Sequence, residues 1–165
     1  PAVVTVGSFA AGVRNNIVPE TATLTGTIRT FDAAVRRSIH EKIRSIAQQT
    51  ATAMGAVATV EIDPGVPVTF NDAALTKQMV PTLERVYGEG AVFESPRVTG
   101  AEDFSFYQEQ VPGFFFFIGA RPPELSAAEA IPNHSPFFYV DENALAPAVR
   151  AMTQLAIDYL NAGAR

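Results

Sequence analysis

An α+β chain arranged as two lobes is what this sequence predicts. Three patterns predict it. Strand-like runs at residues 2–6 and 22–31 are followed by a helical repeat over about 33–54 and a further strand-like run at 57–62; the pattern changes at Asn71-Asp72; and helical repeats beyond it flank one strongly apolar block, Phe114 to Ile118. With 165 residues, 47% hydrophobic and 18% charged, the chain can bury a sizeable core as one ordinary domain or two small lobes.

Each element has its own warrant. Ala2 to Val6 is β-branched, and the glycines at 7 and 12 are expected to break it. From Ala22 to Phe31 the residues alternate, with Leu24 and Ile28 on one face and Thr23, Thr25, Thr27 and Arg29 on the other, so Arg29 stands on a polar strand face. Asp32 is placed to cap a helix whose Val35, Ile39, Ile43, Ile46 and Ala47 form one apolar stripe. Val57 to Ile62 returns to strand, and Asp63-Pro64-Gly65 turns it. Strand, strand, helix, strand is part of an α+β sandwich. Asp72 then caps a helix through Leu75, Met79, Leu83 and Val86 that ends near Gly88, with a kink or early break expected at Pro81. Val92-Phe93 reads as a short strand, 102–110 as a short helix, and Phe114 to Ile118 as a strand too apolar to be exposed on either face. A long loop over 121–133 precedes a closing helix from Asp141 onward, with Pro147 in its first turn. The lobes are therefore expected to span residues 1–70 and 71–165.

Charge and composition exclude several functions. Twelve basic against 17 acidic residues, net charge −5, provide no footprint for nucleic acid or an anionic membrane. No apolar run is long enough for a span, and no positively flanked apolar segment resembles a signal peptide, so a cytoplasmic setting is expected. With no cysteine, disulfides and thiol chemistry are out of reach. The chain enters a strand almost at Pro1 without an initiator Met, so its natural start is expected to lie upstream or to have been trimmed, as in a fragment.

Five places could carry chemistry. His134, in the loop Asn133-His134-Ser135-Pro136, is either a turn residue or a metal ligand. His40 reads as a helix-surface residue. Arg29 is either a surface ion-pair member or a fork for a free carboxylate. Asn16, before Ile17-Val18-Pro19, is a turn residue or a polar substrate contact. In Thr99 to Tyr107, Thr99 and Glu102 could simply form a capping box.

Together, Asn15-Asn16-Ile17-Val18-Pro19, Gly26-Thr27-Ile28-Arg29-Thr30-Phe31, Gly100-Ala101-Glu102-Asp103-Phe104 and Asn133-His134-Ser135-Pro136 resemble the two-metal amidohydrolases of the aminoacylase and hippurate-hydrolase group. The resemblance implies a partial ferredoxin-like lid sandwich, residues 1–70, followed by the C-terminal part of an α/β metallopeptidase catalytic domain, residues 71–165. It implies His134 as a metal ligand, Arg29 as the clamp for the substrate carboxylate, Asn16 as an auxiliary contact, and Gly100, Glu102 and Asp103 beside the site. Two divalent ions, zinc or manganese, would act in the complete enzyme with an upstream glutamate as base; no catalytic group lies in this portion, and none of the metal is expected to bind it tightly alone. The implied partners are a small acyl-amino-acid substrate and a second copy bound through the lid. Relatives carry His or Gln where this chain has Ala10, which leaves the role of that turn open. A non-catalytic dimerisation module, or part of a dipeptidase or carboxypeptidase of the same family, are the alternative readings.

Overall fold

The computed structural model describes residues 1–163. It is a mixed α/β chain of two compact units, the first comprising Pro1–Thr69 and Arg97–Phe106, the second Phe70–Pro96 and the chain from Tyr107 onward. Residues 97–106 thus return to the first unit, although the sequence pattern assigned everything after 71 to one lobe; a hydrogen bond from Arg29 to Thr99 ties them there.

The first unit is built on an antiparallel pair, β1 (Ala2–Ala11) and β2 (Ala22–Thr30). Gly7 does not end β1 as expected. The register shifts between Val6 and Ser8, so Gly7 is absorbed as a bulge and the ladder continues to Ala11 paired with Ala22. Ala10 consequently lies in the ladder opposite Thr23 instead of in a turn. Gly26, opposite Val6, has no room for a side chain: a Cβ there would stand 2.2 Å from the Thr5 carbonyl oxygen. Asp32 caps helix α1 (Ala33–Ala53), accepting from the Ala34 and Val35 amides at 2.7 and 2.8 Å, and those two bonds hold its carboxyl below the usual range. Beyond α1, residues 57–62 are not a strand. A strand exists by virtue of its ladder, and among the described residues β1 and β2 are the sole pair. The turn that follows is tethered by Arg36, whose Nη1 donates to the carbonyls of Pro64 and Val66 at 3.3 and 3.2 Å.

In the second unit, Asp72 caps α2 (Ala73–Tyr87) by accepting from the Leu75 amide at 2.8 Å. The helix runs through Pro81 without breaking, because proline removes a single intrahelical bond and the packing of α2 against α4 (Leu145–Gly163) supports the rest. Met79, Thr82 and Leu83 on α2 and Ala151 on α4 are buried, and Met79 and Leu83 each contribute about 1.5–3 kcal/mol on removal from water. A 3₁₀ turn, Glu142–Ala144, capped by Asp141, leads into α4 and places Pro147 in its first turn.

Phe114 to Ile118 lacks a strand partner among the described residues. Instead the Asn71 side chain pairs with both polar groups of the Phe115 backbone, Nδ2 donating to its carbonyl and Oδ1 accepting from its amide, each at 2.7 Å. The rings retain the alternation of an extended chain, Phe114 stacked on Phe116 at 5.5 Å and Phe115 edge-on to Phe117 at 5.3 Å. Phe117 is 65% exposed, against the expectation of burial on both faces. Residues 92–93 form no strand, and the short helix expected over 102–110 is a single turn, α3 (Phe104–Gln108).

Asp158 of α4 accepts from the Thr82 hydroxyl at 2.5 Å and the Gln154 amide at 2.8 Å, and pairs with Arg85. The Thr82 bond, then the Gln154 bond and the Arg85 charge, hold its carboxyl below the usual aspartate range. A carboxyl depressed in the folded state contributes stability above its unfolded pKa and loses it as pH falls through the folded value. The stability difference between wild type and Asp158→Asn is therefore expected to be full near neutrality and to shrink as pH falls below about 5, which urea denaturation across pH measures.

Candidate functional site

In the first unit the structure brings Arg29 to the Thr99–Asp103 turn. Arg29 stands on β2 opposite Val3, exposed, and its Nη1 donates to the Thr99 carbonyl at 2.8 Å across 70 positions of sequence. Among the described residues no carboxylate lies within ion-pair distance of it. Its partner in the structure is a neutral carbonyl.

The turn is ordered by its own acids. Glu102 Oε1 accepts from the Phe104 amide at 3.3 Å, and the Glu102 carbonyl accepts from the Ser105 amide and hydroxyl at 3.3 and 2.7 Å. Asp103 is exposed, and its carbonyl accepts from the Phe106 amide at 3.0 Å. Ser105 is fully buried, which anchors the turn from beneath. Glu102 thus caps the helical turn, whereas Thr99 does not; its carbonyl serves Arg29. Gly100 has open space where a Cβ would stand. No side-chain pattern could have identified the Thr99 carbonyl, because every residue carries one.

Asn16 is not brought to this group. It occupies an exposed turn in the β1–β2 connection, where the Ile17 amide reaches the Arg14 carbonyl at 3.5 Å. Roughly 23 Å of ladder, at about 3.3 Å per residue, separates Ala22 at that end from Arg29 near the other.

His134 belongs to the second unit and is exposed. The Ser135 amide donates to the Pro132 carbonyl at 3.3 Å, which closes a turn over 132–135 with His134 in its third position at φ 72. That left-handed position is one a turn normally gives to glycine or asparagine. His134 is the lone non-glycine residue at positive φ among the described residues. A second turn follows, the Phe138 amide donating to the Ser135 carbonyl at 3.1 Å and the Phe137 amide to the Ser135 hydroxyl at 3.2 Å. Among the described residues no three His, Cys, Asp or Glu side chains converge in a metal-binding group. A catalytic metal site needs at least three protein donors, so these residues do not by themselves fit a metal centre.

The family model described as peptidase family M20/M25/M40 matches residues 3–158. The chain is 33% identical over 162 residues to thermostable carboxypeptidase 2 of Saccharolobus solfataricus, covering 98% of this chain and 40% of that protein. It is 33% identical to N-acetylcysteine deacetylase of Bacillus subtilis, covering 94% and 39%, and 33% identical to IAA-amino acid hydrolase ILR1-like 6 of Arabidopsis thaliana, covering 96% and 35%. Among solved structures, the Bacillus subtilis YXEP protein, described as a dinuclear metal binding peptidase from the M20 family, superposes with a TM-score of 0.81 at 31% identity, covering 97% of this chain and 42% of that one. The chain spans about two fifths of the length of the relatives it matches.

The strain at His134 has a measurable consequence. Replacing a side chain at positive φ by glycine removes a backbone cost, so His134→Gly is expected to raise stability by about 0.5–1 kcal/mol despite the lost ring, measured by urea denaturation.

Proposed function

This chain belongs to peptidase family M20/M25/M40, and on that premise we propose that it forms part of a metal-dependent amidohydrolase cleaving the amide bond of N-acyl-amino acids or peptide-like conjugates. The observation that carries the reading is Arg29. A guanidinium has five donors in a planar fork, and here one nitrogen is held by a carbonyl while the charge has no carboxylate partner among the described residues. The chemical complement is a free carboxylate, the group shared by every N-acyl-amino acid and by the C-terminal residue of a peptide. Relatives named as a deacetylase and as an amino-acid-conjugate hydrolase support the acyl-amino-acid form. A relative named as a carboxypeptidase supports a second reading, in which the group on the other side of the amide is a peptide.

In this proposal residues 1–70 serve as the lid and 71–165 as the C-terminal part of the catalytic domain, whose segment 97–106 packs with the lid unit and sets Gly100, Glu102 and Asp103 beside the site. His134 contributes one ligand to a pair of divalent ions, zinc or manganese, in a cytoplasmic enzyme; a neighbour described as dinuclear supports the pair. The left-handed backbone at His134 supports the ligand role, since strain of this kind persists where position matters more than local stability. One imidazole does not complete a metal site. The 165-residue chain alone is therefore expected to bind zinc no tighter than micromolar and to leave hippurate intact, whereas the full-length protein hydrolyses it; calorimetry and a hydrolysis assay read both. A full-length protein inactive on all acyl-amino acids and peptides would instead favour a non-catalytic binding module.

The separation of Asn16 from Arg29 along the ladder supports a homodimer in which Asn16 of one copy serves the site holding Arg29 of another. The outer edge of β1 is unpaired among the described residues and offers the pairing surface. Sedimentation of the full-length protein is expected to show a dimer. Mixing impaired Arg29→Ala and Asn16→Ala proteins under exchange is expected to raise activity above that of either alone, with about a quarter of the sites receiving two intact partners.

Arg29→Ala in the full-length enzyme is expected to cost about 2–4 kcal/mol in kcat/KM on substrates with a free carboxylate. On the matching carboxamide the loss should be much smaller. Equal losses on the two would remove the clamp assignment.

A further inference from the structure

Resting on the carboxylate-clamp reading, we propose that the Thr99 carbonyl is the positioning element of the site: it holds Arg29 by one corner, so that carboxylate binding and order in the Thr99–Asp103 turn are coupled. The bond uses Nη1 alone. The Nε and Nη2 edge, two parallel donors that match a carboxylate, is left complete. A free arginine side chain would lose considerable rotamer freedom on gripping an anion, and docking one corner beforehand removes part of that cost.

The coupling has a structural route within the first unit. Thr99 leads directly into the turn whose bonds to Glu102 and Asp103 order the amides of Phe104, Ser105 and Phe106. Arg36 provides an internal contrast. It also donates to carbonyls, those of Pro64 and Val66, but through longer bonds and to a different turn. Its loss should loosen 64–66 and leave carboxylate selectivity unchanged.

Amide exchange in the full-length protein, with N-acetylglycine and N-acetylglycinamide as probes, tests the coupling without requiring turnover. In the unliganded protein, Arg29→Ala is expected to speed exchange at Ser105 and Phe106 by about fivefold, the weight of one hydrogen bond, while Arg29→Lys, which can still reach a carbonyl, stays within about twofold of wild type. N-acetylglycine should slow these two amides in wild type but in neither variant, and N-acetylglycinamide should slow them in none. Exchange unaltered in Arg29→Ala would overturn the latch, and equal protection by acid and amide would overturn the carboxylate coupling. If Arg29→Ala does not fold, loss of the N-acetylglycine effect in Arg29→Lys decides the same point, and its persistence overturns the proposal. Because the probes are bound rather than cleaved, a protein that proves not to hydrolyse acyl-amino acids would refute the hydrolase reading while this readout still stands or falls alone.

Discussion

The second unit depends on the contact of α2 with α4, and within it on a buried hydroxyl that finds its partner on the other helix. Thr82 is 2% exposed. A hydroxyl in that position must be bonded or it costs about 1–3 kcal/mol. Its acceptor, Asp158, also takes the Gln154 amide and the Arg85 guanidinium, so a polar node joins α2 to α4. Apolar contact alone would let one helix slide on the other. The node makes one register better than its neighbours, because a shift of a turn would leave both the hydroxyl and the carboxylate without their partners.

The first unit is held together differently. None of the residues of α1 is buried, and Val6, Phe9 and Leu24 on the strand pair are each more than half exposed. Its order within the described residues comes from the β1–β2 ladder and from arginines that reach distant carbonyls. Arg36 ties the 64–66 turn and Arg29 ties Thr99. Such bonds each contribute little, about 0.5–1.5 kcal/mol, yet they determine where a loop returns. Donating to a carbonyl leaves the positive charge of the guanidinium unspent, so the same side chain can hold the fold and still attract an anion.

His134 shows the opposite balance. A turn over 132–135 would be more comfortable with glycine in its third position, and the chain places an imidazole there. The local rule is broken at the residue proposed as a metal ligand, while the surrounding bonds of Ser135 keep the loop in shape. Sites of function are where sequence preference and backbone comfort are expected to part.

Much of this was legible from residue types alone. Asp32 and Asp72 announced both long helices of the first half of the chain, because a capping aspartate and an apolar stripe are local properties. The alternation of residues 22–31 placed Arg29 on a polar face. The bulge at Gly7 was not legible: glycine both ends strands and interrupts them, and only pairing with β2 decides which. Strands at 57–62 and 114–118 failed as expectations for the same reason, since β-propensity describes a willingness to pair and a ladder needs a partner. Pro81 was read as a kink or an early break, and the break did not occur, because tertiary packing on α4 outweighed one lost bond. What the sequence determined by itself was therefore the set of local signals: caps, periodicities, and the residue types able to bind a carboxylate or a metal. Tertiary structure alone decided that Arg29 meets the carbonyl of Thr99 and that Asn16 stands at the far end of the ladder, because a backbone carbonyl has no signature in sequence and separation in space is set by how strands pair.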